Sequence, residues 1–188
     1  MSEQFSAPLA LIDASVLVPH WSRVALRALA IETPPRLLPV WSTAIVAETW
    51  RILTLRALAT GQNPATISRS AHSLWELLDP LFRIADCSTM PAAAAPSPLR
   101  DLHDTHLWCA ALNAGVRYVV SHNTRDFPHP VKVDKGDGAG QVQRHLYAGI
   151  EFLTAIELIE DVVGADAAIL CGRSLPVGAS IRSGRSRR

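Results

Sequence analysis

Short apolar runs alternate with longer amphipathic stretches along this chain, and that rhythm predicts its elements. Pro8-Leu9-Ala10-Leu11-Ile12 is a continuous apolar run of strand length that ends at Asp13. Val16 to Ile31 follows, with helical spacing around Val24–Ala30 and Pro19 interrupting or starting a helix. Leu37-Leu38-Pro39-Val40 fits a second strand at a sheet edge, where proline is tolerated. Ser42 or Thr43 then caps a helix over Ala44–Ala59, closed by Gly61. Another helix is expected over Ala65–Leu78, between Pro64 and Pro80, and a third strand within Leu81–Ala85. After a Pro/Ala loop over 90–98 comes a helix from Asp104 to Gly115, a buried strand Tyr118-Val119-Val120, and a polar loop from Ser121 to Asp126. The glycine-bearing segment 128–143 reads as a mobile loop. Ile150–Leu153 is a last strand, and Thr154 with Glu157 forms a capping box for the helix Ala155–Val163.

Strands alternating with helices imply an α/β fold: a short parallel sheet in a three-layer α/β/α arrangement. Residues 1–163 form the expected domain. Residues 164–188 form a basic tail, with Arg182, Arg185, Arg187 and Arg188 near its end, expected to be disordered.

Composition narrows the function classes. With 188 residues, 48% hydrophobic and 19% charged, the chain has room for a real core. A net charge of +1 gives no global pull toward nucleic acid or membrane, so such attraction must come from local patches. No apolar run reaches membrane-span length, and Asp13 interrupts the N-terminal apolar stretch, which argues against a signal peptide. Cys87, Cys109 and Cys171 are widely spaced, which suits free thiols in a cytoplasmic protein.

Acids at unusual positions carry the candidate chemistry. Asp13 ends an apolar strand, where a lone carboxylate is costly; its alternative role is a helix cap. Glu48 shares a face with Ile45, Ile52 and Leu55 by helical spacing, with Arg51 as its bland partner. Asp104 heads the face of Leu107, Trp108 and Ala111, and could simply complement the helix dipole. Asp126 lies past a strand, where a turn role is the alternative, and Asp101 is better read as a helix cap. In a parallel sheet Asp13, Glu48, Asp104 and Asp126 can converge at one edge. Carboxylates brought together need a cation, and hard oxygen donors favour Mg²⁺ or Mn²⁺ over zinc. A zinc site on His103 and His106 is the weaker alternative, since no HExxH pattern is present.

LALIDASVLV, STAIVAETWR, DLHDTHLWCAALNAG and VVSHNTRDFP, in this order and spacing, resemble the PIN-domain nucleases, including VapC-like toxins of toxin–antitoxin pairs. GIEFLTAIELIEDV is similar to the closing strand and helix of that fold, so the resemblance covers roughly residues 8–163. It implies Asp13, Glu48, Asp104 and Asp126 as the acidic cluster, with Asp13, Asp104 and Asp126 holding the metal. It implies Ser15 and Asn123 as supporting residues. Ser121 stands where the family more often has threonine, and His122, Asp101 and the long segment 128–143 are departures.

The expected activity is metal-dependent hydrolysis of RNA phosphodiesters, with phosphate contacts from Arg125, Lys132 and Lys135. The expected partners are an RNA substrate and a cognate antitoxin, with a homodimer as a further option. The helices Ala44–Ala59 and Ala65–Leu78 offer apolar surface for these, unless they pack on each other. The alternative function is a catalytically silent domain that binds RNA or a protein partner.

Overall fold

The computed structural model describes residues 7–63, 65–66, 69, 72, 78–90, 96–99, 101, 104–134 and 141–163. Most of the expected helix over Ala65–Leu78, together with His103, Lys135 and the basic tail, lies outside them. So does the packing expected between that helix and its neighbour.

The chain is mixed α/β. Seven strands form one sheet: β1 (Leu9–Ile12), β2 (Leu38–Ser42), β3 (Arg83–Ala85), β4 (Tyr118–Val120), β5 (Val131–Asp134), β6 (Gln141–Tyr147) and β7 (Ile150–Leu153), in the order β3-β2-β1-β4-β7-β6-β5. From β3 to β7 every pairing is parallel, whereas β6 pairs antiparallel with both β7 and β5. The described helices are α1 (Ala14–Leu17), α2 (His20–Ile31), α3 (Thr43–Ala59), α4 (Thr105–Ala114) and α5 (Ala155–Val163). Among the described residues no helix is long and apolar enough to cross a membrane.

Both central strands are covered on both faces, as parallel strands must be. Ala10, Leu11 and Ile12 are fully buried, and Tyr118, Val119 and Val120 nearly so. Trp108 of α4 is also fully buried, beside Phe152 of β7 with centroids 6.4 Å apart. Chain order runs from β1 outward to β2 and β3, then jumps to β4 on the other side of β1. The sheet therefore reverses direction between β1 and β4. Ligands of open α/β sheets gather beyond the strands' carboxyl ends at such a reversal.

The sheet differs from the sequence expectation in three places. The segment expected to be a mobile loop contains β5 and the start of β6, so the sheet is not a short parallel one. The glycines Gly136, Gly138 and Gly140 dominated that reading, while Val131 and Val133 on either side of Lys132 alternate as a strand should and pair with Arg144 and Val142. The proline-bearing β2 is interior rather than at an edge. The Leu38 N–H points toward β1, bonding Pro8, so Pro39 faces β3, whose ladder begins only at Val40. The missing donor thus falls where no strand needs it. Finally, Leu55 of α3 is 53% exposed, so the face expected to run from Ile45 to Leu55 is buried only at its start.

The caps follow the sequence more closely. The Ser42 hydroxyl accepts from the Ile45 N–H at 3.3 Å, and Gly115 ends α4 in the left-handed conformation. The Glu157 carboxylate accepts from the Thr154 N–H at 2.7 Å, completing the capping box.

The two-residue turn joining β6 to β7 places Ala148 at φ 50° and Gly149 at φ 79°. Positive φ at both positions is the hairpin geometry that matches strand twist, and it disfavours alanine. Ala148→Asn should therefore stabilise the protein by about 0.5–1 kcal/mol, and Ala148→Val should destabilise it by more than ~1 kcal/mol. Urea unfolding of the two variants checks this; equal midpoints would mean the turn relaxes freely.

Candidate functional site

The site is built on the register of β1 and β4. Ile12 pairs with Val120, so the next residues, Asp13 and Ser121, emerge side by side at the carboxyl edge. The Asp13 N–H continues the ladder to the Val120 carbonyl at 2.9 Å, and the Ser121 N–H continues it to Leu153 at 3.0 Å. Asp13 then sits at the N-cap position of α1, yet its side chain makes no cap hydrogen bond. Its carboxylate Oδ2 accepts instead from Ser15 Oγ at 2.5 Å and from Ser121 Oγ at 2.7 Å. These hydroxyls are oriented in turn: Ser15 Oγ accepts from the His122 N–H, and Ser121 Oγ from the Asn123 N–H, both at 3.0 Å. Asp13 is only 8% exposed, so this hydroxyl pair replaces much of its lost hydration.

Asp104 arrives from the opposite direction. Helix α4 connects β3 to β4 and so begins at the carboxyl edge. Asp104 occupies its N-cap position without a side-chain cap bond. Burial pushes its carboxyl up to about 6, helped by the charges of Asp13, Asp101 and Asp126, against a smaller opposing effect of His106. Asp13, Asp104 and Asp126 therefore share one electrostatic neighbourhood. Asp126 closes the turn Thr124–Asp126, and the Asn123 side-chain amide donates to its Oδ2.

Glu48 stands on the other wall. With Asp104, His106, Ala47 and Arg51 it lines a cleft of about 390 Å³. Its carboxylate lies 3.9 Å from the Arg51 guanidinium and 4.0 Å from His106 Nε2, both long for an ion pair. The bland partner expected for Glu48 is thus present but distant. Arg125 is exposed on the turn before Asp126, and Lys132 is exposed on β5.

Some participants went unassigned in the sequence. Ser121 is the second hydroxyl on Asp13; its signal was its place directly after a buried strand, level with Asp13 in a parallel register. His106 was weighed only as a zinc ligand and instead faces Glu48 across the cleft. Trp21, at the start of α2, meets His122 with ring centroids 5.7 Å apart. Burial lowers the His122 imidazole below its ordinary value, with Asp13 opposing.

The donor set fits a hard divalent cation in kind: carboxylates from separate elements, with no thiolate. Among the described residues no group of three or more His, Cys, Asp or Glu side chains is already gathered to hold an ion. Mg²⁺ needs no such cage, since it keeps several waters and is commonly held by one or two carboxylates. No protein-family model, curated protein or solved structure matches the chain.

The Asp104 shift has a definite sign. A carboxyl that ionises near 6 when folded, against 3.8 ordinarily, binds its proton more tightly in the folded state. Relative to the protonated form, stability is full below about pH 3.8 and is lost as pH rises through about 6. Asp104→Asn should therefore stabilise the metal-free protein at pH 7.5, by roughly 1 kcal/mol once solvent screening of this half-exposed group is counted, and leave it unchanged near pH 4. Thermal unfolding at the two pH values measures this. A gain that is equal at both would assign it to something other than charge.

Proposed function

We propose that this protein is a Mg²⁺- or Mn²⁺-dependent endoribonuclease of the PIN type, acting as the toxin of a toxin–antitoxin pair in the cytoplasm. The observation that carries the reading is the electrostatic coupling of Asp13, Asp104 and Asp126 at the β1/β4 reversal, with neither helix-start acid spent on capping its own helix. A three-layer α/β/α arrangement is what right-handed crossovers would give, with the β1–β2 and β2–β3 connections over one face of the sheet and the β3–β4 connection over the other.

Asp13, Asp104 and Asp126 are the residues to hold the cation. When bound, such an ion supplies positive charge for the phosphodiester and acidifies a water. The chain's own groups do the rest. Ser15 and Ser121 hold Asp13 in place through its Oδ2. Asn123 steadies Asp126. Glu48, across the cleft from Asp104, is the group to accept a proton from the attacking water, with His106 beside it. Arg125 and Lys132 are exposed cations suited to phosphate oxygens. Hydrolysis by water leaves a 5′-phosphate and a 3′-hydroxyl. An antitoxin would inhibit by setting an Arg or Lys among the carboxylates, where the charge balance favours one.

Purified protein should cut a labelled mixed RNA pool in Mg²⁺ or Mn²⁺ and stop in EDTA. Asp13→Asn and Asp104→Asn should each lower the rate by at least about 100-fold while remaining folded, since each removes a charge acting at the reacting phosphate. Retained cutting by both variants would sink the reading. Absence of cutting by the wild type, with metal binding still seen by calorimetry, would point to a missing specific substrate or a bound antitoxin; neither cutting nor metal binding would favour a silent binding domain.

A further inference from the structure

Helix α2 takes no part in the proposed chemistry. Residues 14–31 contain no acid, although the whole chain carries nearly as many acids as Lys and Arg. His20, Arg23 and Arg27 recur at i, i+3 and i+7, so they share one face of α2. With Val24, Ala28 and Ile31 they line a groove of about 260 Å³. Like charges one turn apart weaken a helix unless something negative meets them. Among the described residues, no carboxylate pairs with Arg23 or Arg27. Glu32, the first acid beyond the helix, is taken by Arg36 at 2.5 Å. Arg23 spends Nη1 on the Leu17 and Val18 carbonyls, at 2.7 and 2.6 Å, and among the described residues Arg27 makes no ion pair.

This groove begins beside the carboxylate cluster. Trp21, next to His20, packs against the His122 ring, and the His122 N–H donates to the serine that holds Asp13. A partly buried Trp21 indole edge beside His122, tilted 42° to its ring, followed by cations spaced one helical turn or about 6 Å apart, offers a single strand of nucleic acid an aromatic contact for a base and then phosphate contacts. An acidic peptide would satisfy the arginines but has no use for the ring pair.

We propose that the groove along α2 binds the backbone of the single-stranded RNA substrate, with Arg23 and Arg27 on successive phosphates and Trp21 stacking a base next to the scissile one. The proposal rests on the nuclease reading, and its test is chosen to separate the two. A 5′-fluorescein 12-residue oligouridine is titrated with the full chain in EDTA, where metal-dependent cutting is silent, and anisotropy is read from 50 to 300 mM salt. Arg27→Gln, an exposed and unpaired position, should bind about tenfold more weakly at 50 mM and lower the slope of log affinity against log salt by about 0.7, the contribution of one single-strand phosphate contact. Trp21→Ala should weaken binding by a similar factor with the slope unchanged, because stacking releases no counterion. Arg36→Gln, a surface arginine off this groove, should change neither.

Wild-type affinity and slope in Arg27→Gln would overturn the groove. So would tight binding of a 12-residue polyglutamate with none of oligouridine, which would assign the face to an acidic protein partner. Cutting of the mixed RNA pool in Mg²⁺ with an unaltered KM in Arg27→Gln would overturn the groove and leave the nuclease standing. Neither binding nor cutting by the wild type would remove both.

Discussion

The Asp13 carboxylate is held at the end of a fully buried strand, where a charged group loses most of its water. What replaces that water comes from two separate pieces of chain: Ser15 from the first turn of α1, and Ser121 from the residue after β4. Both hydroxyls reach Asp13 only because Ile12 and Val120 are paired across the ladder. A slip of one residue in that pairing would turn Ser121 to the opposite face and strand the carboxylate. The β1–β4 register is thus the constraint on which the site depends. It is enforced by the apolar residues that flank it on both faces, not by the polar groups themselves.

The same geometry gathers charges that repel. Asp104 resists ionisation up to about 6 because burial and the charges of Asp13, Asp101 and Asp126 act on it together. The groups near the cleft do little to relieve this: Arg51 and His106 stand about 4 Å from Glu48, and His106 opposes the Asp104 shift only as its smallest contribution. Folding alone offers no reason to keep such an arrangement, since replacing an acid with a neutral residue would favour the folded state. Strain of this kind concentrates where a ligand completes the balance. Under the proposed function, the positive charge that would complete it is a divalent ion or a basic side chain of a partner.

Much of the frame was legible in the sequence because local physics decided it. The run Leu9–Ile12, the serine cap of α3, the glycine stop of α4 and the Thr154–Glu157 box depend on neighbours within four residues. The seven-stranded extent of the sheet was not legible in the same way. Val131-Lys132-Val133 is too short to outweigh the glycines that follow, and it becomes a strand only because β6 is there to pair with it. Pro39 misled for a related reason: its tolerance depends on where β3 starts, a fact of tertiary register. At the site, Asp13 and Asp104 stood out as acids at the borders of apolar elements. Ser121 and Trp21 did not, since serine after a strand and tryptophan in an amphipathic helix are ordinary until their contacts are known.

The two ends of β4 treat charge in opposite ways, and that asymmetry explains how the site can be tense without loosening the fold. At the amino end, the Tyr118 hydroxyl donates to Asp161 at 2.6 Å, and Arg144 bridges Asp161 at 3.1 Å and Glu151 at 2.8 Å. Each acid there has a cation or a hydroxyl, and the bridge ties β6, β7 and α5 to β4. The added antiparallel strands therefore do more than lengthen the sheet, because β6 carries the arginine that closes this network. At the carboxyl end, three residues away, Ser121 begins the cluster in which acids face acids. Between them Val119 and Val120 are buried on both sides and fix the strand in place. The amino end thus meets its acids with an arginine, whereas among the described residues Asp13 at the carboxyl end is met by neutral hydroxyls.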